Sequence, residues 1–150
     1  MAKRTLGILN KNPLNVKQVP SLWDGSTGQD EYGHAIFIDN IYGIRAAVRT
    51  LANMFRAGNR TVAEIIAQWA PANDPQANND PLGYAGFVSR KMGIPADTNL
   101  DLFTVEGKLK QRSVLYLMIA AMIEFENFRG YMLPLETLSS GIALYERDFT

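Results

Sequence analysis

A glutamate closes an otherwise apolar run, Ser113-Val-Leu-Tyr-Leu-Met-Ile-Ala-Ala-Met-Ile-Glu-Phe-Glu-Asn127, at a point where a buried stripe should continue. On a period of 3.6, Glu126 lies on the face of Ile119, Met122 and Ile123. Glu124 points away from that stripe and reads as an exposed residue facing Lys or Arg neighbours. A carboxylate at the rim of an apolar wall loses hydration, which favours its protonated form. That form is what a general acid working near neutral pH requires. On spacing alone the plainer reading comes first: a helix-end carboxylate, solvated or paired with Arg129. Asn127, next in sequence, is placed to orient a substrate amide or carbonyl.

A second group of polar residues lies near the start, Asn10-Lys-Asn-Pro-Leu-Asn15 followed by Trp23-Asp-Gly25. Asn-Pro is a turn signal, and asparagine amides often tie loop backbone together. A self-bonded loop and a ligand-binding surface are equally compatible with it. For a ligand, the amides of Asn12 and Asn15 offer paired donors and acceptors, and the Trp23 indole offers an apolar face for a sugar. Trp69, Tyr84 and Phe87 stand at helical spacing and are read as core. His34 is read as a surface or packing residue, because no nucleophile signature accompanies it.

Composition narrows the chemistry. The 150 residues hold no cysteine, which removes thiol catalysis, thiolate metal sites and disulfides. One histidine excludes His-pair metal sites, so neither metal nor cofactor is expected. Fifteen cationic and fifteen anionic residues cancel, and no nucleic acid or anionic membrane is expected as a partner. The start, Met-Ala-Lys-Arg-Thr-Leu, has two cations but no apolar segment after them, so no secretion signal is expected. The apolar stretch 114–123 falls short of the ~20 residues that span a bilayer, which argues against membrane insertion.

These groups need a scaffold. Residues 10–40 read as an irregular lobe in which only His34-Ala-Ile-Phe-Ile38 is strand-like, giving one short hairpin. Helical signals follow. Asp39 or Asn40 caps a helix with Ile41, Ile44, Val48, Leu51 and Phe55 at helical spacing and Gly58 at its end. Thr61-Val-Ala-Glu64 is a capping box, and Pro71 stops the helix it opens. Asp80-Pro81 opens another that runs to Gly93. Thr104-Val-Glu is expected to start the longest helix, and Pro134 to open the last. Ala70–Asp80 is a long polar loop of the kind that is often functional. Because 114–123 is apolar on every face, other helices are expected to surround it. The expected fold is a single mainly α (α+β) domain over 1–150, with five or six helices round a buried central one and a small irregular or β lobe at the N-terminus.

Several stretches, in order, resemble a family of phage-encoded, lysozyme-like cell-wall hydrolases found in virions and lysis modules. They are Asn10-Lys-Asn-Pro-Leu-Asn-Val-Lys17, Trp23-Asp-Gly25, Phe37-Ile-Asp-Asn-Ile-Tyr-Gly-Ile-Arg45, Thr61-Val-Ala-Glu-Ile-Ile-Ala-Gln-Trp-Ala-Pro71 and Phe125-Glu-Asn-Phe128. The resemblance covers about residues 8–128 and leaves 131–150 as a C-terminal helical extension. It implies a lysozyme-like fold, Glu126 in the place of the family's catalytic glutamate, and Asn12, Asn15 and Trp23 in its Asn-rich entrance motif. The order is also similar to bacterial wall glucosaminidases, where the glutamate precedes the Asn motif, so a circular permutation is expected to bring residue 126 beside residues 10–25. Lys11, Leu14, Phe125 and Phe128 depart from the family pattern. Leu14 stands where glycine would supply a backbone angle that leucine resists, and Phe128 would narrow the space beside Glu126.

The resemblance implies a peptidoglycan hydrolase or lytic transglycosylase, as virion component or endolysin, with bacterial peptidoglycan and other virion proteins as partners. Asp24, Asp30 and Glu31 are the candidates for a second carboxylate, and with none singled out a one-acid route is preferred. The protein is expected in the virion, or in the host cytoplasm before a holin or an infecting particle delivers it to the periplasm and wall. The alternatives are an inactive virion or assembly protein on the same fold, an endopeptidase that cuts the peptide cross-link, and, ranked last, a helical adaptor without a wall connection.

Overall fold

The computed structural model describes residues 5–74 and 77–149. Lys3 and Arg4 of the N-terminal stretch, and Pro75 and Gln76 of the polar loop, lie outside the described residues. The fold is mainly α with a small two-stranded sheet. In order the elements are α1 (Leu6–Leu9), β1 (Ser26–Gln29), β2 (Ala35–Phe37), α2 (Asn40–Arg56), α3 (Val62–Trp69), α4 (Pro81–Met92), α5 (Arg112–Glu126) and α6 (Leu135–Glu146), closed by a 3₁₀ turn at Arg147–Phe149. No described helix is long and apolar enough to cross a membrane.

Local chemistry sets most boundaries. The Asp39 carboxylate accepts from the Ile41 amide at 3.0 Å, ahead of α2. Thr61 and Glu64 close the capping box reciprocally, satisfying two amides that the first turn of α3 leaves open. Asp80 caps α4, Pro81 fills its first turn, and Gly93 ends it in the left-handed region at φ 71°. Pro134 precedes α6 with no side-chain cap.

Two helical expectations are corrected. The long apolar helix begins at Arg112 rather than at Thr104, and α2, with 17 residues, exceeds its 15. Between Asp101 (φ 50°) and Gly107 (φ 96°) the backbone leaves helical space. Phe103 and Leu109 pair there in an isolated antiparallel bridge, and Leu102 and Phe103 bury their side chains without a helix. Nor is α5 covered on every face: Leu115, Met118, Ile119, Met122 and Ile123 are buried, while Leu117 is 44% exposed.

The described residues fall into two compact units, those within Met1–Arg49 and Met122–Thr150, and those of Thr50–Ala121. In the second, α3 packs against α4. The Ala63 amide bonds the Ala96 carbonyl and the Leu100 amide that of Arg60. Phe103 meets Phe55 edge-on at 5.8 Å, with the Arg60 guanidinium 4.4 Å above the Phe55 ring.

In the first unit β1 and β2 pair antiparallel with a bulge between Ser26 and Gly28. Leu14, Val16, Ala35, Phe37, Ile44, Ile142 and Tyr145 are buried. The C-terminal segment is latched to α2 by charge: Asp148 accepts from Arg45 and Arg49, each at 3.0 Å.

Candidate functional site

Every residue singled out for chemistry lies in the first unit. The Asn-rich segment is held from beneath by Asn12. Its side chain has no exposed surface. Its Nδ2 donates to the carbonyls of Val16 and Ala35 at 2.8 and 2.9 Å, and its Oδ1 accepts from the Val16 amide at 3.0 Å. Both donors are committed to backbone, so Asn12 folds the loop and does not present an amide to a ligand. That corrects its expected place among substrate contacts.

Close approach of this loop to α2 depends on Gly43. A Cβ there would lie 2.8 Å from the Lys11 carbonyl oxygen, 3.0 Å from Pro13 Cδ and 3.1 Å from Asn12 Cα. The strain expected at Leu14 falls elsewhere. Leu14 is fully buried, and the positive φ angles belong to its neighbours Lys11 (51°) and Asn15 (55°). Asparagine tolerates this region better than leucine does, so the chain satisfies the turn without glycine at position 14.

The end of α5 meets this loop. Asn15 Nδ2 donates to Glu126 Oε1 at 2.9 Å, joining residues 111 apart in sequence. Glu126 is half-buried. Asn127 is 9% exposed and donates to the carbonyls of Pro13 and Ile123 at 2.9 and 2.8 Å, and its Oδ1 accepts from the Thr5 hydroxyl. It therefore pins the helix end to the N-terminal segment instead of reaching a substrate, a second correction to the expected contacts. Gly7 allows this, since a Cβ there would stand 2.6 Å from the Asn127 Oδ1. Glu124 is half-buried and accepts from the Gly130 amide at 3.1 Å, which closes the turn after α5.

Trp23 is half-buried, with its indole N–H donating to the Lys17 carbonyl at 2.9 Å. The structure thus brings Asn15 and Asn127 to the end of α5 and anchors Trp23 further along the lobe. Phe128 stacks at a tilt on Tyr131, ring centres 5.1 Å apart. Burial pushes the Tyr131 phenol up.

The three carboxylates considered as partners to Glu126 differ sharply. Asp24 is 71% exposed and pairs with Arg45 at 3.3 Å, and Glu31 is exposed. Asp30 is 12% exposed and accepts from Asn10 Nδ2, from the amides of Tyr32 and His34, and lies 3.0 Å from His34 Nδ1. Burial alone would raise its pKa, but the hydrogen bonds outweigh it and hold the carboxyl below its ordinary value. Sequence reading missed this Asn10–Asp30–His34 knot and the Thr5 anchor. The signals were present as an Asp-x-x-x-His spacing in a turn and a capping threonine ahead of a short apolar run.

No protein-family model matches the chain. Over 126 residues, 81% of its length, the chain is 32% identical to Protein P5 of Pseudoalteromonas phage PM2, covering 70% of that protein.

Proposed function

The chain belongs to the family of Protein P5 of Pseudoalteromonas phage PM2, and from that premise we propose that it is a phage-encoded protein that cuts the glycan strand of bacterial peptidoglycan on a lysozyme-like fold. The observation that carries the reading is the Asn15–Glu126 hydrogen bond, which seats a half-buried carboxylate against an asparagine-rich loop. Protonated Glu126 gives its proton to the glycosidic oxygen as the C1–O bond breaks, and the departing sugar keeps the bonding electrons. The resulting carboxylate takes a proton either from water that attacks C1 or from a hydroxyl of the same sugar that closes on C1. No further carboxylate is assigned, because Asp30 is committed to four hydrogen-bonding partners and Asp24 to Arg45. The protein would act at the wall in the periplasm, as a virion component or after release during lysis. Bacterial peptidoglycan and other virion proteins are its proposed partners. A permuted glucosaminidase layout is part of the same proposal.

One observation favours a second reading. Asn12 and Asn127 both commit their amides to the chain itself, as they would in an inactive virion or assembly protein that keeps only the fold. Soluble fragment release from purified sacculi separates the two. The enzyme reading expects release by the wild type and its loss in Glu126→Gln. Equal release by both would remove Glu126 from the reaction, and none from either would favour the assembly role. Mass spectrometry of the fragments distinguishes anhydro-sugar, reducing-sugar and peptide products.

A further inference from the structure

Asn15 was expected to hold substrate, but its geometry suits a different task, one that rests on the reading of Glu126 as the acid. Its Nδ2 is 2.9 Å from Glu126 Oε1. The backbone that carries it is anchored: φ is 55°, the Asn15 amide bonds the Asn12 carbonyl at 3.0 Å, and its neighbours Leu14 and Val16 are 0% and 5% exposed. Among the described residues its buried Oδ1 has no hydrogen-bond partner. An amide kept for packing alone would be replaced by an apolar side chain of the same shape at little cost, because an orphaned buried carbonyl is destabilising. Retaining that orphan is understandable where the Nδ2 donor is needed.

An amide N–H needs an acceptor lone pair. A carboxylate oxygen supplies one, and so does the carbonyl oxygen of a protonated carboxyl, whereas its hydroxyl oxygen is the poorer acceptor. We propose that Asn15 is a positioning residue that reserves Oε1 of Glu126 as acceptor in both ionisation states and thereby places the transferable proton on Oε2. The carboxyl then starts each turnover with its O–H already on the oxygen opposite Asn15, and the carboxylate left after donation keeps the same anchor while it acts as base.

The test compares the full chain with Asn15→Gly, which accepts the left-handed backbone, and with Asn15→Asp, which is isosteric but replaces the donor by a like charge. Both variants are checked for folding by circular dichroism. In sacculus cleavage, Asn15→Gly should lower kcat about 10- to 100-fold and leave KM within about twofold. An unchanged kcat with a raised KM would overturn the proposal and return Asn15 to the substrate contacts. A second readout needs no catalysis. The Glu126 carboxyl is titrated by carbon-13 NMR, its signal assigned by loss in Glu126→Gln. Removing the donor should shift the midpoint upward in Asn15→Gly, and further, by about one unit or more, in Asn15→Asp, because a donor to the charged form and a like charge act in opposite senses. Unmoved midpoints would overturn the proposal even if the wild type cleaves nothing. Shifted midpoints in a protein without cleavage would leave the pairing standing and sink only the enzymatic reading.

Discussion

Replacing Asn12 by alanine should unfold the N-terminal loop rather than weaken a ligand. The side chain is fully buried and makes three hydrogen bonds to backbone. Two of them lead to carbonyls, and losing each costs about 0.5–1.5 kcal/mol. The Val16 carbonyl also accepts from the Ala35 amide at 2.9 Å, so its loss lies at the low end. The Val16 amide sits in a residue only 5% exposed, and stripping its acceptor costs about 1–3 kcal/mol. Together these give about 4 kcal/mol, or a fall in thermal midpoint on the order of 10 °C for a chain of this size. Urea titration followed by Trp23 fluorescence, in a Trp69→Phe background, reads the loop directly, since the Trp23 indole is bonded to the Lys17 carbonyl next to Val16. A sugar-binding Asn12 predicts the opposite pattern, normal stability with lost retention on the wall polymer. A stability loss below about 1 kcal/mol would refute the reasoning.

Two further outcomes are expected. Gly43→Ala places a Cβ against the backbone of residues 11–12 and the Pro13 ring. It should cost about 1–3 kcal/mol despite alanine's better helix propensity, and a raised thermal midpoint would contradict it. The depressed Asp30 pKa adds stability that is fully present above the ordinary aspartate range and is lost as pH falls through the lower folded value. The stability gap between wild type and Asp30→Asn should therefore close below about pH 4. A gap that stays constant from pH 7 to pH 3 would remove Asp30 from the acid response.

What the sequence disclosed follows the range of the interactions involved. Thr61 with Glu64, and Asp80 with Pro81 and Gly93, are signals that act within one turn, and each marks a real boundary. The false helix start at Thr104 is the reverse case. Apolar residues at Val105 and Leu109 fit a helical period, yet two positive-φ positions and a bridge from Phe103 to Leu109 carry that stretch as a loop. The nearness of residues 15 and 126 was reached only through the ordered resemblance, since no local rule links positions that far apart. Asn12 and Asn127 show the remaining gap. An amide that binds sugar and an amide that binds backbone look alike in a sequence, and burial separates them only after folding. His34 looked idle for the same reason, because the Asp-x-x-x-His spacing becomes a contact only once the turn that joins Asp30 to His34 has folded.

The bond between Asn15 and Glu126, reinforced by the ties from Asn127 to Thr5 and Pro13, has a consequence in time. During synthesis the loop that seats the carboxylate leaves the ribosome long before the helix it must meet. At about 5–20 residues per second, the 111-residue separation keeps the two halves of the seat apart for roughly 6–20 s. Through that interval Asn15 and the Pro13 carbonyl have only water as partners for the bonds they later make to α5. A ribosome-bound fragment that stops short of α5 is therefore without its seat, however complete its N-terminal loop.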